Sequence, residues 1–333
     1  MSGERPRISV LMPVRNGGAF VEEAVASIRG QTERRWELLI MDDGSTDDTA
    51  GRLARLAAAD GRIRVEHGEN LGLSRACNQL ARSARGDYLA RMDADDVAAP
   101  ERFARQLAWM EAHPETVALG GQAVRIDPEG WPIDRWRAPL RHEEIERQHL
   151  RGFGGGIIHP TAFIRREVFE QVGGYDEDFE ASQDYDLWLR LAEVGRLANL
   201  PEVVLFYRLH ASSITCSRRL VQARCIREAH ARAVRRRGLN PPPACELQVR
   251  SELTPRRARM QWVKFALRSG HHATAWKHAR ALWAEKRDGL TLALLAVSWL
   301  ACRWAPGPAG PVTREGALAV LREETEAAAE TKP

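Results

Sequence analysis

The chain lacks the devices that staple or anchor small proteins. It has five cysteines in 333 residues (Cys77, Cys216, Cys225, Cys245, Cys302), and none forms a Cys-x-x-Cys pair. That spacing argues against a zinc ribbon or a disulfide framework and fits a reducing compartment. Long apolar runs are also missing. The longest, Leu290 to Cys302, is interrupted by Thr291 and Ser298 and falls short of a bilayer span. Met1 to Pro6 lead straight into a strand-like segment and carry no apolar signal core. No G-x-x-x-x-G-K-[ST] loop occurs, and no G-x-G-x-x-G follows the first strand, so kinase, NTPase and dinucleotide chemistry are weak readings. Calcium loops fail as well. A loop opening at Asp93 needs Gly and Glu where the chain has Ala98 and Ala104, and one opening at Asp43 puts Asp48 where Gly is required.

What is present is an ordinary soluble composition, 44% apolar, which allows one large domain and a smaller one. The first half alternates strand and helix signals. Ile8 to Met12, Trp36 to Met41, Ile63 to Val65 and Asp87 to Met92 read as strands. Phe20 to Arg29, Thr49 to Ala59 and Ser74 to Ala84 read as helices, with Thr46 or Asp47 capping the second. Such alternation predicts an α/β fold, a mostly parallel sheet flanked by helices. Ligands bind such sheets beyond the carboxyl ends of the strands. Three polar clusters fall there: Pro13 to Asn16, Asp42 to Ser45 and Asp93 to Asp96. Further on, Glu101 to Ala112 reads as a helix, Ile157 to Ile164 as a strand, Gln183 onward as a helix and Val203 to Leu209 as a last strand.

Asp93-Ala94-Asp95-Asp96 is the sharpest feature. Three carboxylates in four residues at the end of a buried strand repel one another and need partners. A divalent cation and the phosphates it bridges would supply them; a solvated acidic turn is the bland alternative. Asp42-Asp43-Gly44-Ser45 is either a plain strand–helix turn or a place where a strand-end carboxylate accepts from a base N–H or a ribose hydroxyl.

Four blocks in this order resemble family 2 glycosyltransferases, inverting nucleotide-sugar-dependent enzymes of the GT-A fold. They are Ile8-Ser9-Val10-Leu11-Met12-Pro13-Val14-Arg15-Asn16, Asp42-Asp43-Gly44-Ser45-Thr46-Asp47, Asn70-Leu71-Gly72-Leu73-Ser74-Arg75-Ala76-Cys77-Asn78 and Asp93-Ala94-Asp95-Asp96. Gly173-Gly174-Tyr175-Asp176, Gln183-Asp184-Tyr185-Asp186-Leu187-Trp188-Leu189-Arg190 and Tyr207-Arg208-Leu209-His210 match too, so the resemblance covers roughly residues 6 to 215. It implies a GT-A catalytic domain over 1–217, followed by a smaller α-helical domain over 218–305 and an Ala/Glu-rich tail over 306–333. It also implies a nucleotide-sugar site formed by Pro13, Val14, Arg15, Asn16, Asp43, Gly44, Ser45, Gly72, Arg75, Asp93, Ala94 and Asp95. Within it Asp43 would accept from a uracil or thymine N–H. Arg75 would either reach the diphosphate or stand as an exposed helical arginine. Asp93 and Asp95 form the DxD motif for Mg²⁺ or Mn²⁺, Asp95 as the direct ligand and Asp93 nearer the ribose or a metal-bound water. Asp96 would be a structural acceptor. His210 is either a further polar group near metal and diphosphate or a structural histidine.

The implied reaction moves one sugar, without processivity, from a UDP- or dTDP-sugar to a hydroxyl of a glycan or lipid-linked acceptor. Inversion calls for a general base, and Asp184 matches the family's base position, although Gln183 stands where Glu is more frequent. Asp186 reads as a cap or structural acceptor, Trp188 as core, and His159 as structural or acceptor-lining. The processive Gln-x-x-Arg-Trp signature is absent. Two other readings are kept, a nucleotidyltransferase and a catalytically silent sugar- or lipid-binding module.

Arg218 to Arg237 holds eight arginines and one glutamate. A solvated face is its default reading, and peripheral contact with anionic headgroups on the inner face of a membrane the next; no aromatic platform accompanies it, so nucleic acid is not expected. Arg256 to Arg268 and Ala273 to Lys286 read as paired amphipathic helices. Leu290 to Trp304 is expected as a core helix ahead of an interfacial one. The localisation implied is cytoplasmic.

Overall fold

A computed structural model describes residues 5–210, 218–247, 249 and 253–304. The expected tail over 306–333 and Cys216 lie outside these residues. The first half runs β1 (Ile8–Val14), α1 (Val21–Arg29), β2 (Trp36–Asp43), α2 (Thr49–Ala59), β3 (Ile63–Gly68), α3 (Leu73–Ser83) and β4 (Tyr88–Arg91). Strands β1 and β2 are near-continuous apolar runs, as befits parallel strands covered on both faces. β1 pairs in parallel with β2 and with β4, and β2 with β3.

The chain continues through β5 (Val97–Ala98), α4 (Arg102–Ala112), β6 (Thr116–Ile126), β7 (Pro132–Trp136), α5 (His142–Leu150), β8 (Phe163–Arg165), α6 (Arg166–Gln171), α7 (Gln183–Leu191) and β9 (Arg196–Arg208). One sheet results, in the order β3-β2-β1-β4-β8-β6-β9-β5, with β7 paired to β6. It is parallel through β4 and turns antiparallel at β8, which pairs against both β4 and β6. Leu11, Leu39 and Leu89 pack one face of this sheet against Ala76, Cys77 and Leu80 of α3 and Leu187, Trp188 and Leu191 of α7. Burying each leucine contributes about 2–3 kcal/mol. Trp188 is therefore core, as its spacing predicts.

One local expectation fails. Ile157 to Ile164 is not one strand: His159–Thr161 forms a 3-10 turn and β8 starts after it. Pro160 has no N–H to give a ladder, and Thr161 Oγ1 donates back to Ile158 O at 2.7 Å. The loop around Trp131 and Trp136 contains β7, whose Ile133 is fully buried.

The described residues divide into two compact units. One comprises the described residues of Met1–Ala123, Arg137–Leu205 and Leu220–Arg250; the other those of Val124–Trp136, Phe206–Arg219 and Ser251–Pro333. The arginine-rich helix α8 (Arg219–Arg236) thus lies largely in the first unit, not in a C-terminal domain. Its Cys225, Ile226, Ala229 and Ala233 pack on Phe179, Ala181, Tyr185 and Leu189. Arg232 pairs with Asp176 (2.9 Å), Arg236 with Glu193 (2.7 Å) and Arg237 with Glu146 (2.7 Å), so much of its charge is engaged within the unit.

The second unit contains α9 (Pro255–Arg268), α10 (His272–Glu285) and α11 (Gly289–Trp304). Val263 and Ala266 of α9 pack on Ala275, Ala279 and Leu282 of α10. Asp127, fully buried in this unit, accepts from Lys277 Nζ (2.5 Å), His278 Nε2 (2.9 Å) and the backbone N–H groups of Glu129 and Trp131. That set of partners is what lets a carboxylate be buried.

Candidate active site

Register places the polar clusters together. Val14 at the end of β1 stands beside Asp42, and Leu11 beside Arg91, so β2, β1 and β4 end on one edge. Pro13 and Val14 close β1, and the loops beyond are tied to each other. Asn16, in the left-handed region at φ 54°, accepts Thr46 N–H on Oδ1 (2.8 Å) and donates its own N–H to Ser45 Oγ (2.9 Å). Ser45 N–H in turn donates to Asp42 Oδ1 at 3.1 Å, across a turn that needs Gly44 at φ 75°. The Arg15 guanidinium binds Asn70 Oδ1.

Asp43 is buried, and its two oxygens accept the backbone N–H groups of Leu71 (2.5 Å) and Gly72 (2.8 Å). It therefore fixes the third loop as well as facing the strand edge. A carboxylate has about four lone-pair sites, so capacity remains for one more donor. Arg75 is paired with Glu177 (3.2 Å), a side chain that also takes Asn78 Nδ2 at 3.0 Å.

The Asp93-Ala94-Asp95-Asp96 segment follows β4. One oxygen from each of Asp93, Asp95 and Asp96 falls within 4.8 Å of the others. Asp96, expected as a purely structural acceptor, is thus part of the cluster, and its N–H closes the turn onto Asp93 O at 3.4 Å. The carboxylates are not alone. Arg91, 2% exposed, reaches Asp93 Oδ1 through Nη2 at 2.6 Å. Arg102, equally buried, donates to Arg91 O (2.8 Å) and Gln106 Oε1 (3.0 Å). Like charges this close repel one another and are stabilised by a cation between them. Three hard oxygen donors so close together fit Mg²⁺ or Mn²⁺, whose remaining positions suit phosphate and water. His210 follows β9.

Asp184 occupies the first turn of α7. Burial pushes its carboxyl up to about 6; the Tyr185 and Asp184 backbone N–H groups and the Arg91 guanidinium pull it down, and the Asp93 charge adds to the rise. Asp184 is therefore within electrostatic reach of Arg91 and Asp93. Burial also holds the His159 imidazole neutral, with Arg91 adding to the effect, and His159 Nε2 lies 2.8 Å from the Tyr175 hydroxyl. Asn78 clamps the Tyr175 backbone through both N–H (2.9 Å) and C=O (2.8 Å). Asp186 is 2% exposed and paired with Arg190 at 2.7 Å, the structural role its position suggests.

Arg91, Arg102 and Tyr175 escape a reading of the sequence. The one signal available for Arg91 is its place, an arginine ending an otherwise apolar strand two residues before the first of three acids.

The chain is similar to proteins of known family. The Glycosyl transferase family 2 profile matches residues 9–173, and that of Glycosyltransferase like family 2 matches residues 159–234. The O-antigen biosynthesis glycosyltransferase WbnJ of Escherichia coli is 32% identical over 211 residues, covering 62% of this chain and 81% of that protein. Among solved structures, the mannosyltransferase PcManGT from Pyrobaculum calidifontis, in complex with GDP-Man and Mn²⁺, superposes with a TM-score of 0.56 at 20% identity, covering 97% and 88% of the two chains. S. aureus TarS 1-349 in complex with UDP-GlcNAc gives 0.54 at 15% identity, covering 88% and 89%. These superpositions show a shared GT-A glycosyltransferase fold, and with the sequence matches they establish that the chain belongs to glycosyl transferase family 2.

Proposed function

We propose that the protein transfers one sugar, with inversion, from a nucleoside-diphosphate sugar to a hydroxyl of a glycan or lipid-linked acceptor. The observation that carries this reading is the Asp93, Asp95 and Asp96 cluster beyond an edge built from three strand ends, with the Asp184 carboxyl of α7 raised to about 6 and within electrostatic reach of Asp93. A base poised near neutrality takes up the acceptor proton most effectively. The acceptor oxygen then bonds the anomeric carbon as the sugar–phosphate bond breaks, and the electron pair leaves with the diphosphate. A divalent cation held by Asp95, Asp93 and Asp96 would, when bound, stabilise the charge on that diphosphate as a Lewis acid.

Asp43 would accept the base N–H on its remaining lone pairs, which favours uracil or thymine. The loops carrying Asn16, Gly44, Ser45 and Gly72 would border base and ribose. His210 is kept as a candidate group near the diphosphate, and the cytoplasm, which supplies nucleotide sugars, is the proposed setting. WbnJ and the UDP-GlcNAc complex of TarS support a sugar-transfer reading over the nucleotidyltransferase one.

The test is turnover of a nucleotide-sugar panel with Mg²⁺ or Mn²⁺, with the product's anomeric configuration read by NMR. Inverted product from a UDP- or dTDP-sugar is expected. Retention of configuration would remove Asp184 from the base role. Absence of any nucleotide-sugar binding would sink the transferase reading for this chain.

A further inference from the structure

Helix α11 is built inside out. Thr291 and Ser298 are wholly buried, whereas Leu290, Leu292, Val297, Trp299 and Leu300 are 46–52% exposed. At about 100° per residue these five side chains cover roughly half the helix circumference. The inward side is firmly held: Leu294 and Leu295 pack on the core of α9 and α10. Its start is capped, with Asp288 Oδ1 accepting Thr291 N–H (2.9 Å) and Thr291 Oγ1 donating to Lys286 O (2.7 Å). The outward apolar face is thus a property of a well-seated helix. Isolated exposed leucines are ordinary, but a continuous apolar face marks an interaction surface.

Charge selects the occupant. Lys286 and Arg287 precede the helix and Arg303 lies near its end, its guanidinium 5.6 Å from the Trp299 ring centroid. Residues 255–304 hold ten Lys or Arg against two acidic residues, Glu285 and Asp288. A second copy of this face would bring the same positive charge; an anionic bilayer surface would complement it. Leu and Trp on one side of a helix with basic residues at its ends are the chemistry of an interfacial helix. Sixteen residues rise about 24 Å, less than the roughly 30 Å hydrocarbon core, and no described helix is long and apolar enough to cross a membrane.

We infer that α11 lies in the plane of an anionic lipid surface and seats the second unit there, its apolar face at the boundary of headgroups and acyl chains. This stands apart from the donor-site reading. The test is co-sedimentation of the full chain with vesicles of phosphatidylcholine alone and of equal parts phosphatidylcholine and phosphatidylglycerol. Binding to the anionic vesicles, weakened by salt, is expected. Leu292→Glu with Trp299→Glu lowers the partition by about tenfold or more, with an unchanged melting temperature showing that the fold survives. Lys286→Gln with Arg287→Gln, which leaves the apolar face intact, weakens binding to anionic vesicles only. Undiminished binding of the Glu variant overturns the inference. So does a full chain that ignores vesicles, or one that forms a dimer in solution which the Glu variant splits.

Discussion

Arg91 Nη2 and Asp93 Oδ1 meet at 2.6 Å, one side chain 2% exposed and the other at the open strand edge. The DxD segment is therefore braced from beneath by a guanidinium that cannot reach solvent. Removing a buried ion's partner costs far more than the pair contributes. Arg91→Met is expected to lose about 3 kcal/mol in urea unfolding, and Asp93→Asn less. In the double variant the two losses should fall short of their sum by at least about 1 kcal/mol; simple additivity would show that the contact does no work.

Asp184 should leave its mark on both rate and stability. With a carboxyl at about 6, transfer rises with pH up to that value and then levels. Its ordinary value is 3.8, so between about 4 and 6 the folded chain holds a proton that the unfolded chain has released. Stability contributed at Asp184 therefore falls as pH rises through that window. Asp184→Asn removes this cost: a gain of about 1–3 kcal/mol at pH 7 that vanishes near pH 4, together with lost transfer and retained nucleotide binding. Melting curves across pH with isothermal titration check both halves.

Asp43 binds two backbone N–H groups, so its substitution should act before any ligand arrives. Asp43→Ala strands Leu71 and Gly72 N–H and is expected to cost about 1–3 kcal/mol. Asp43→Asn keeps the shape but turns a donor toward a donor, and should weaken nucleotide binding while costing less stability. Equal stability of the Ala variant and the parent would refute the bracing role.

Asp95 tests the cation separately from the fold. It is half-buried, and Asp95→Ala should leave the melting temperature nearly unchanged. Metal-dependent nucleotide binding should fall by about a hundredfold, as it should in the parent protein after chelation. Variant binding that still responds to added Mn²⁺ as the parent does would move the metal away from Asp95.

Much of this site is legible in the sequence because parallel strands joined by helices must end on one edge; once β1, β2 and β4 are recognised, Asn16, Asp43 and Asp93 fall together. What cannot be read is which way a side chain turns and what approaches it from a distant part of the chain. Arg91 looks like any strand-end arginine until burial shows it facing Asp93. The role of α8 is hidden because the eight arginines of residues 218–237 resemble a solvated face, and only folding shows Arg232, Arg236 and the adjoining Arg237 against Asp176, Glu193 and Glu146. Helix α11 misleads for the opposite reason: composition suggests core, but which arc of a helix turns inward is decided by its neighbours.

Asn16 is tied to Ser45 and Thr46, Arg15 to Asn70, and Asp43 to Leu71 and Gly72. The three loops are thus joined to one another by the protein's own hydrogen bonds. Under the proposed function, a nucleotide arriving at this edge would meet loops already braced against one another, which lowers the affinity lost to arranging the protein and leaves encounter to govern how fast it binds.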